Sequence, residues 1–358
     1  MNDAPTTSAQ SSDPTSLGDL GWKPFFQQQL TDEDHGLLPA RVTAVHRSAL
    51  HVLGATIDTD VAPFADAEGG EGANATIGDW LLLDPEFHLV KRRLERISLF
   101  KRRAPGHGRE TQLIAANVDT VFIVTSCNQD FNVARLERYL TLARQAEVTP
   151  VIVLTKADLV ADVTPYVQQA QALDQSMSVE VLNATLEGEA QRLMPWCARG
   201  QTVVFVGSSG VGKSTLVKTL TGRVNIDTQD IREDDAKGRH TTTSRDLYQL
   251  VSGAWLVDTP GMRELSLADV KEGLEVVFAD LVALSHDCRF KDCVHEAEPG
   301  CAIKAAVASG SIDADRVARW KKLVSEDAAN ALSIIERKAK DRSLSRVIKS
   351  VKKHKKRK

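Results

Sequence analysis

Two stretches decide the fold. Thr155-Lys156-Ala157-Asp158 closes the apolar run Val151-Ile152-Val153-Leu154, and later in the chain Gly207-Ser208-Ser209-Gly210-Val211-Gly212-Lys213-Ser214 follows Thr202-Val203-Val204-Phe205-Val206. The second stretch has the GxxxxGK[ST] form of a phosphate loop, and it lies between a strand pattern and the helix pattern Thr215-Leu216-Val217-Lys218-Thr219-Leu220, the setting that motif requires. The first has the TKxD form of a guanine-reading turn. Guanine-nucleotide hydrolases ordinarily run phosphate loop, switch threonine, DxxG and then the base-reading strand. Here the last element comes first, and Asp258-Thr259-Pro260-Gly261 follows the phosphate loop in the usual order. The order reads as a circularly permuted nucleotide-binding domain.

Each element has a chemical reason for its residues. Glycines 207, 210 and 212 let backbone N–H groups wrap phosphate, Lys213 reaches the β and γ oxygens, and the Ser214 hydroxyl, followed by Thr215, is a Mg²⁺ ligand at a helix N-terminus. Asp258 ends the apolar strand Ala254-Trp255-Leu256-Val257, where it would hold the Mg²⁺ hydration shell, and the Gly261 amide would meet the γ-phosphate. Asp158 accepts only, so it suits the paired donors of guanine and leaves adenine without a match. Thr155 stands where Asn is commoner and offers a hydroxyl to brace the neighbouring loop. Val179-Glu180-Val181-Leu182-Asn183-Ala184-Thr185 is a short strand followed by a candidate second base-contacting loop.

Between the phosphate loop and Asp258 lies Gly238-Arg239-His240-Thr241-Thr242-Thr243-Ser244, where a switch threonine should close over Mg²⁺; Thr241, Thr242 and Thr243 are all candidates. Met262 follows the DxxG glycine, where a Gln commonly orients the attacking water, and Met has no amide to offer. His240 is the nearest polar candidate in sequence for that role, set against an ordinary solvated loop histidine.

Alternating patterns around these motifs, with strand Val121-Phe122-Ile123-Val124, helix Val133 to Ala146 and then strand 151–154, predict a parallel sheet covered by helices. Beyond it, Cys288, Cys293, His295 and Cys301 form a Cys₃His set suited to one tetrahedral, structural Zn²⁺. Cys127 and Cys197 are isolated and no secretory signal is evident, so a reducing, cytoplasmic compartment is expected. No run of 18 apolar residues appears, and no membrane association is expected.

Ahead of the nucleotide motifs, short runs at Ala40–Val45, Leu50–Leu53, Ile77–Leu83 and Leu89–Leu94 predict a small β-barrel, of either the oligonucleotide-binding (OB) or the SH3-like type. Arg92-Arg93, Arg96, Lys101-Arg102-Arg103 and Arg109 supply a basic flank suited to phosphates or a solvated strand face. Residues 1–17 read as a disordered, acidic leader rich in Ser, Thr and Pro. From Arg337 to Lys358 there are twelve Lys or Arg against one Asp, a net +11 in a chain of formal net charge −3, so the rest carries −14. Such a basic run at the end of an otherwise acidic chain is an interaction tail for which RNA is the natural partner.

The permuted order, the Cys-x₄-Cys-x-His-x₅-Cys cluster, Gly78-Asp79-Trp80 in the barrel and Ala115-Ala116-Asn117-Val118-Asp119 at the domain entry together resemble the ribosome small-subunit-dependent GTPase A family. The resemblance covers roughly residues 18 to 335. It implies an OB-type barrel (18–110), a circularly permuted α/β P-loop GTPase domain (111–268) and a helical zinc-binding domain (269–336), with the basic tail (337–358) outside the shared pattern. It further implies GTP hydrolysis stimulated by the small ribosomal subunit, with that subunit, its rRNA and GTP or GDP as partners, and a monomer is expected. The competing expectation is an RNA-binding assembly module that keeps GTP as a structural ligand with negligible turnover. Met262 favours that alternative, whereas the complete phosphate loop and the His240-threonine segment favour hydrolysis.

Overall fold

A computed structural model describes residues 16–66, 72–103, 111–174, 177–186, 188–222, 245–258 and 270–328. The chain enters through helix α1 (Pro24–Gln27), opened by a proline that needs no hydrogen-bond acceptor in the first turn. Five antiparallel strands follow: β1 (Leu38–Val45), β2 (Leu50–Gly54), β3 (Asp58–Val61), β4 (Trp80–Leu83) and β5 (Val90–Arg93). They pair in the order β3-β2-β1-β4-β5. This is the OB-type barrel, and its interior is Ala40, Val42, Leu50, Val52, Ile57, Val61, Leu81 and Leu83. Every residue of β4 is buried because the strand is packed on both faces: Leu81 and Leu83 fill the barrel, while Trp80 and Leu82 join the main core.

Strand β3, Asp58-Thr59-Asp60-Val61, carries no apolar alternation and was not expected from the sequence. It forms as a sheet edge, where two aspartates flank His51 of β2 at 3.0 and 2.8 Å and place charge on an otherwise open ladder. Strands β6 (Leu99–Arg103) and β7 (Thr111–Ala116) make a separate antiparallel pair across the expected division at 110/111.

The basic flank needs correction. Arg92 is bonded to Asp34 and to the Gln29 carbonyl, Arg93 to Asp66, and Arg96 makes two 2.7 Å bonds to the fully buried Asp79. Arg92 holds the Asp34 carboxyl well below the usual carboxylate range. These three guanidiniums are committed to acids inside the protein, and a charge already paired has little left for a phosphate.

The α/β part follows: β8 (Thr120–Ser126), α2 (Val133–Gln145), β9 (Thr149–Thr155), α3 (Thr164–Gln171), β10 (Ser178–Val181), β11 (Thr202–Gly207), α4 (Lys213–Thr221), β12 (Arg245–Gln249) and β13 (Trp255–Asp258). Strand order is β10-β9-β8-β11-β13-β12, parallel except for β12. The two-residue period of the strands divides the core cleanly. Val121, Ile123, Ile152, Leu154, Val204 and Val206 face Leu136 and Leu140 of α2, whereas Phe122, Val124, Val151, Val153 and Val203 face Leu216 and Leu220 of α4. β12 also pairs with β1 at Ala44↔Asp246 and Val45↔Arg245, so a single hydrogen-bonded sheet of eleven strands joins the nucleotide domain to the barrel.

Helices α5 (Lys271–Val277), α6 (Ala279–His286), α7 (Ala302–Ala308) and α8 (314–328) build the last lobe. Leu274, Phe278, Leu281, Ile303, Val317, Trp320 and Leu323 continue the core that α2 shares. Gly273 lies so close to α2 that an added Cβ would come within 2.2 Å of the Thr141 carbonyl.

At the junction of barrel and nucleotide domain, Arg41 of β1 is completely buried and donates to the Leu20 carbonyl at 2.6 Å, the Thr202 hydroxyl at 2.7 Å and the Asn117 carbonyl at 3.4 Å. Burial lowers its pKa to about 10, with Asp119 and Asp79 acting against the shift, so the group stays charged at neutral pH. Asp119 receives the Thr202 N–H at 2.7 Å and pairs with Lys23. Asn117, in the left-handed region at φ 56°, accepts from the Ile97 N–H and donates to the Gly78 carbonyl, both at 2.9 Å. Gly78 has φ 86°, and a Cβ there would lie 2.1 Å from the Ala116 carbonyl oxygen. Gly78-Asp79-Trp80 and Ala115 to Asp119 are therefore two sides of one interlock. Arg41→Met, which keeps length but not charge, should destabilise the protein by about 3 kcal/mol because it leaves buried acceptors unpaired. Urea unfolding followed by tryptophan fluorescence would show it as a lower midpoint, and an unchanged midpoint would remove Arg41 from the interlock.

Candidate functional site

β9, β8 and β11 are neighbours in the sheet, and their carboxyl ends bring together segments far apart in the chain. β11 ends at Gly207, whose φ of 143° and 2.2 Å clearance from the Val124 carbonyl to a notional Cβ admit only glycine. The loop then turns through Ser208 and the exposed Ser209 and Gly210, buries Val211, and enters α4 at Gly212. Lys213 Nζ donates to the Gly207 carbonyl at 2.8 Å and to the Ser208 carbonyl. The ammonium is thus folded over the loop it would leave to meet a phosphate. Ser214 and Thr215 sit half-buried in the first turn of α4, whose open N–H groups face the same loop.

Thr155, the last residue of β9, is fully buried, and its Oγ1 donates to the Val211 carbonyl at 2.6 Å, with the Thr125 carbonyl at 3.1 Å as a second acceptor. The hydroxyl expected to brace a neighbouring loop does so on the phosphate loop itself. Lys156 takes a left-handed backbone at φ 57°, which sends Ala157–Leu159 into a single 3₁₀ turn and leaves Asp158 exposed.

The loop after β10 arrives at the same place. Leu182 N–H donates to the Leu154 carbonyl at 2.9 Å, and the Asn183 side chain accepts from the Thr185 N–H at 3.0 Å and hydroxyl at 2.7 Å, fixing a tight turn. A Cβ built on Gly212 would lie 3.6 Å from Ala184 Cβ and 3.7 Å from Thr155 Cγ2. The TKxD turn is therefore hydrogen-bonded to the phosphate loop, and the 183–185 turn stands about one methyl group away from Gly212. β13 runs parallel to β11 and delivers Asp258 to the same sheet end. Gly261 and Met262, together with His240, Thr241, Thr242 and Thr243, lie outside the described residues.

A second cluster lies in the last lobe. The ligand atoms of Cys288, Cys293, His295 and Cys301 all fall within 4.8 Å of one another. Cys288 and Cys301 Sγ are each 3.5 Å from His295 Nδ1 and 3.9 Å apart. A tetrahedral zinc with bonds of about 2.3 Å to sulfur sets sulfur–sulfur separations of roughly 3.8 Å, so the set is compatible with zinc as it stands. Burial lowers the His295 pKa and favours the neutral imidazole that a metal requires. One residue here was missed from the sequence. The Glu298 carboxylate gathers the N–H groups of Val294, Glu296 and Ala297 at 2.9, 2.8 and 3.1 Å, and the Val294 bond foremost brings its pKa down to about 2. It shapes the loop that carries the histidine, but an isolated Glu in a polar stretch leaves no sequence signal for such a role.

Fold and site together define a circularly permuted P-loop GTPase with an OB-type barrel ahead of it and a Cys₃His lobe behind. Solved structures agree: YjeQ from Thermotoga maritima aligns over 81% of this chain and 98% of its own with TM-score 0.59 at 23% identity. YloQ, described as a circularly permuted GTPase, aligns over 83% and 97% with TM-score 0.55 at 24% identity. The RsgA GTPase family model matches residues 93–268. Small ribosomal subunit biogenesis GTPase RsgA from Mesorhizobium japonicum is 50% identical over 91% of this chain and 94% of its own length, and RsgA 2 from Vibrio parahaemolyticus is 48% identical over 94% and 92%. The chain belongs to the RsgA GTPase family and is a GTP hydrolase.

Thr155→Val keeps the shape of the buried side chain and removes its one donor. Loss of that hydrogen bond should weaken GTP binding roughly tenfold by releasing the loop at Val211, read by titration of a fluorescent GTP analogue; an unaltered affinity would show that the loop holds itself.

Proposed function

We propose that this protein binds the small ribosomal subunit and assists its late maturation in the cytoplasm, hydrolysing GTP when that subunit stimulates it. The observation that supports the nucleotide half is the hydrogen bond from Thr155 to the Val211 carbonyl, which joins the TKxD turn to the phosphate loop of a permuted chain. The ribosomal half is supported by relatives of about half identical sequence whose names describe small-subunit biogenesis GTPases.

In this reading Asp158, with Thr155, Lys156 and Ala157, selects guanine through its acceptor-only carboxylate. The amides of residues 207–212 and Lys213 hold the phosphates, and Ser214 and Asp258, with Thr241, Thr242 or Thr243, would hold Mg²⁺. Bound there, Mg²⁺ neutralises charge developing on the β and γ oxygens. Gly261 reports the γ-phosphate, and His240 orients the water that Met262 cannot. One structural Zn²⁺ is held by Cys288, Cys293, His295 and Cys301, closing the loop that Glu298 shapes. No helix among the described residues is long and apolar enough to cross a membrane. The basic run 337–358 lies outside the described residues and is assigned to rRNA contact by its charge.

Single-turnover hydrolysis with and without small subunits tests the central claim. Stimulation is expected, and His240→Ala should remove most of it, about 10²–10⁴ in rate, while GTP affinity holds; no stimulation of the unmutated protein would return GTP to the role of a structural ligand. Metal analysis tests the last lobe: the unmutated protein should carry one zinc per chain, and Cys293→Ser should lower that content while nucleotide binding persists. Zinc-free protein purified under metal-replete conditions would defeat the assignment.

A further inference from the structure

Helix α2 touches the phosphate loop with one end of its surface and the last lobe with another. Asn132 caps it by accepting the Arg135 N–H at 2.9 Å, which fixes the first turn. From that turn the Arg135 guanidinium reaches back, donating through Nη1 to the Asp130 carbonyl at 3.3 Å and to the Ser208 hydroxyl, the second residue of the phosphate loop. Two residues on, and across the helix from Arg135, fully buried Glu137 accepts from Arg319 at 2.7 Å and Arg316 at 3.4 Å, and Arg138 pairs with Glu326 through bonds of 2.8 and 2.6 Å. α2 is therefore tied to α8 by charged hydrogen bonds on the same stretch of helix that carries Arg135.

Ser208 is gripped at two atoms. Its carbonyl receives Lys213 Nζ and its hydroxyl receives Arg135. A phosphate that takes Lys213 removes the first contact and leaves the second. We propose that Arg135 is a positioning residue for the phosphate loop: it keeps Ser208 in place from α2 while Lys213 transfers to the phosphate, and so sets nucleotide affinity without itself touching the nucleotide. A guanidinium suits this because Nη1, held in a rigid planar group, donates to both the Asp130 carbonyl and the Ser208 hydroxyl, whereas an ammonium on a flexible stem keeps the charge but orients its donors less firmly. The inference rests on the reading of residues 207–214 as the cradle for GTP phosphates.

The test is a double-mutant cycle on the full chain, with affinity measured by a GTP analogue labelled on the ribose and thermal unfolding recorded for each variant. Arg135→Ala and Ser208→Ala should each weaken binding about tenfold, the scale of one hydrogen bond from a charged donor. The double variant should be no weaker than either single one, and Arg135→Lys should recover part of the loss. Losses that multiply in the double variant would mean that Arg135 acts independently of Ser208, and would overturn the proposal. So would Arg135→Ala that melts earlier yet binds as tightly as the unmutated protein. Failure of the unmutated protein to bind the analogue at all is a different result, since it would bring down the phosphate-loop reading and this inference with it.

Discussion

The hydrogen bond from the Thr155 hydroxyl to the Val211 carbonyl is the constraint on which the nucleotide site depends. It ties the end of β9 to the turn between β11 and α4, across the intervening strand β8. A single such bond contributes only about 1 kcal/mol net, but breaking it leaves the Val211 carbonyl without this donor, and that asymmetry makes it specific. Permutation changes which covalent links join the strands and leaves this contact in place, because strand order in the sheet decides what meets at its carboxyl edge.

Around that contact the protein repeats one solution, in which backbone turns are held by side chains, some local and some from another element. Arg135 reaches the loop from α2, Asn183 fixes the turn that brings Ala184 to Gly212, and Lys213 caps the loop carbonyls. Backbone N–H groups that must remain open for a ligand cannot be satisfied within the loop. Side chains from β9 and α2 therefore add to the hold that Lys213 provides.

Buried charge does the same at larger scale. Arg41 and Asp119, each bonded to Thr202, lock barrel to sheet, Asp79 paired with Arg96 locks the barrel's own turn, and Glu137 paired with Arg316 and Arg319 locks α2 to the last lobe. Pairs of this kind add little net stability over apolar packing, yet each is costly to leave half-made.

Much of this was legible in the residues. The phosphate-loop and TKxD motifs, the permuted order, the strands at 121–124, 151–154 and 202–206, and the Cys₃His set all follow from local pattern, since a strand's two-residue period, a glycine turn and a ligand spacing are written in neighbouring positions. The Thr155 hydroxyl could be read as a brace, but its acceptor, the Val211 carbonyl, belongs to a strand-to-helix turn that folding alone brings alongside. Polar β3 escaped notice because an edge strand needs a partner ladder and no apolar face of its own. Arg92, Arg93 and Arg96 looked like a free basic flank because a sequence shows charges without their partners, and Asp34, Asp66 and Asp79 lie too far along the chain to be paired by pattern. Local chemistry was determined by the sequence alone. Which charges are spent inside the fold, and which side chains hold the phosphate loop, only the tertiary structure decided, because those outcomes depend on contacts between residues that are distant in the chain.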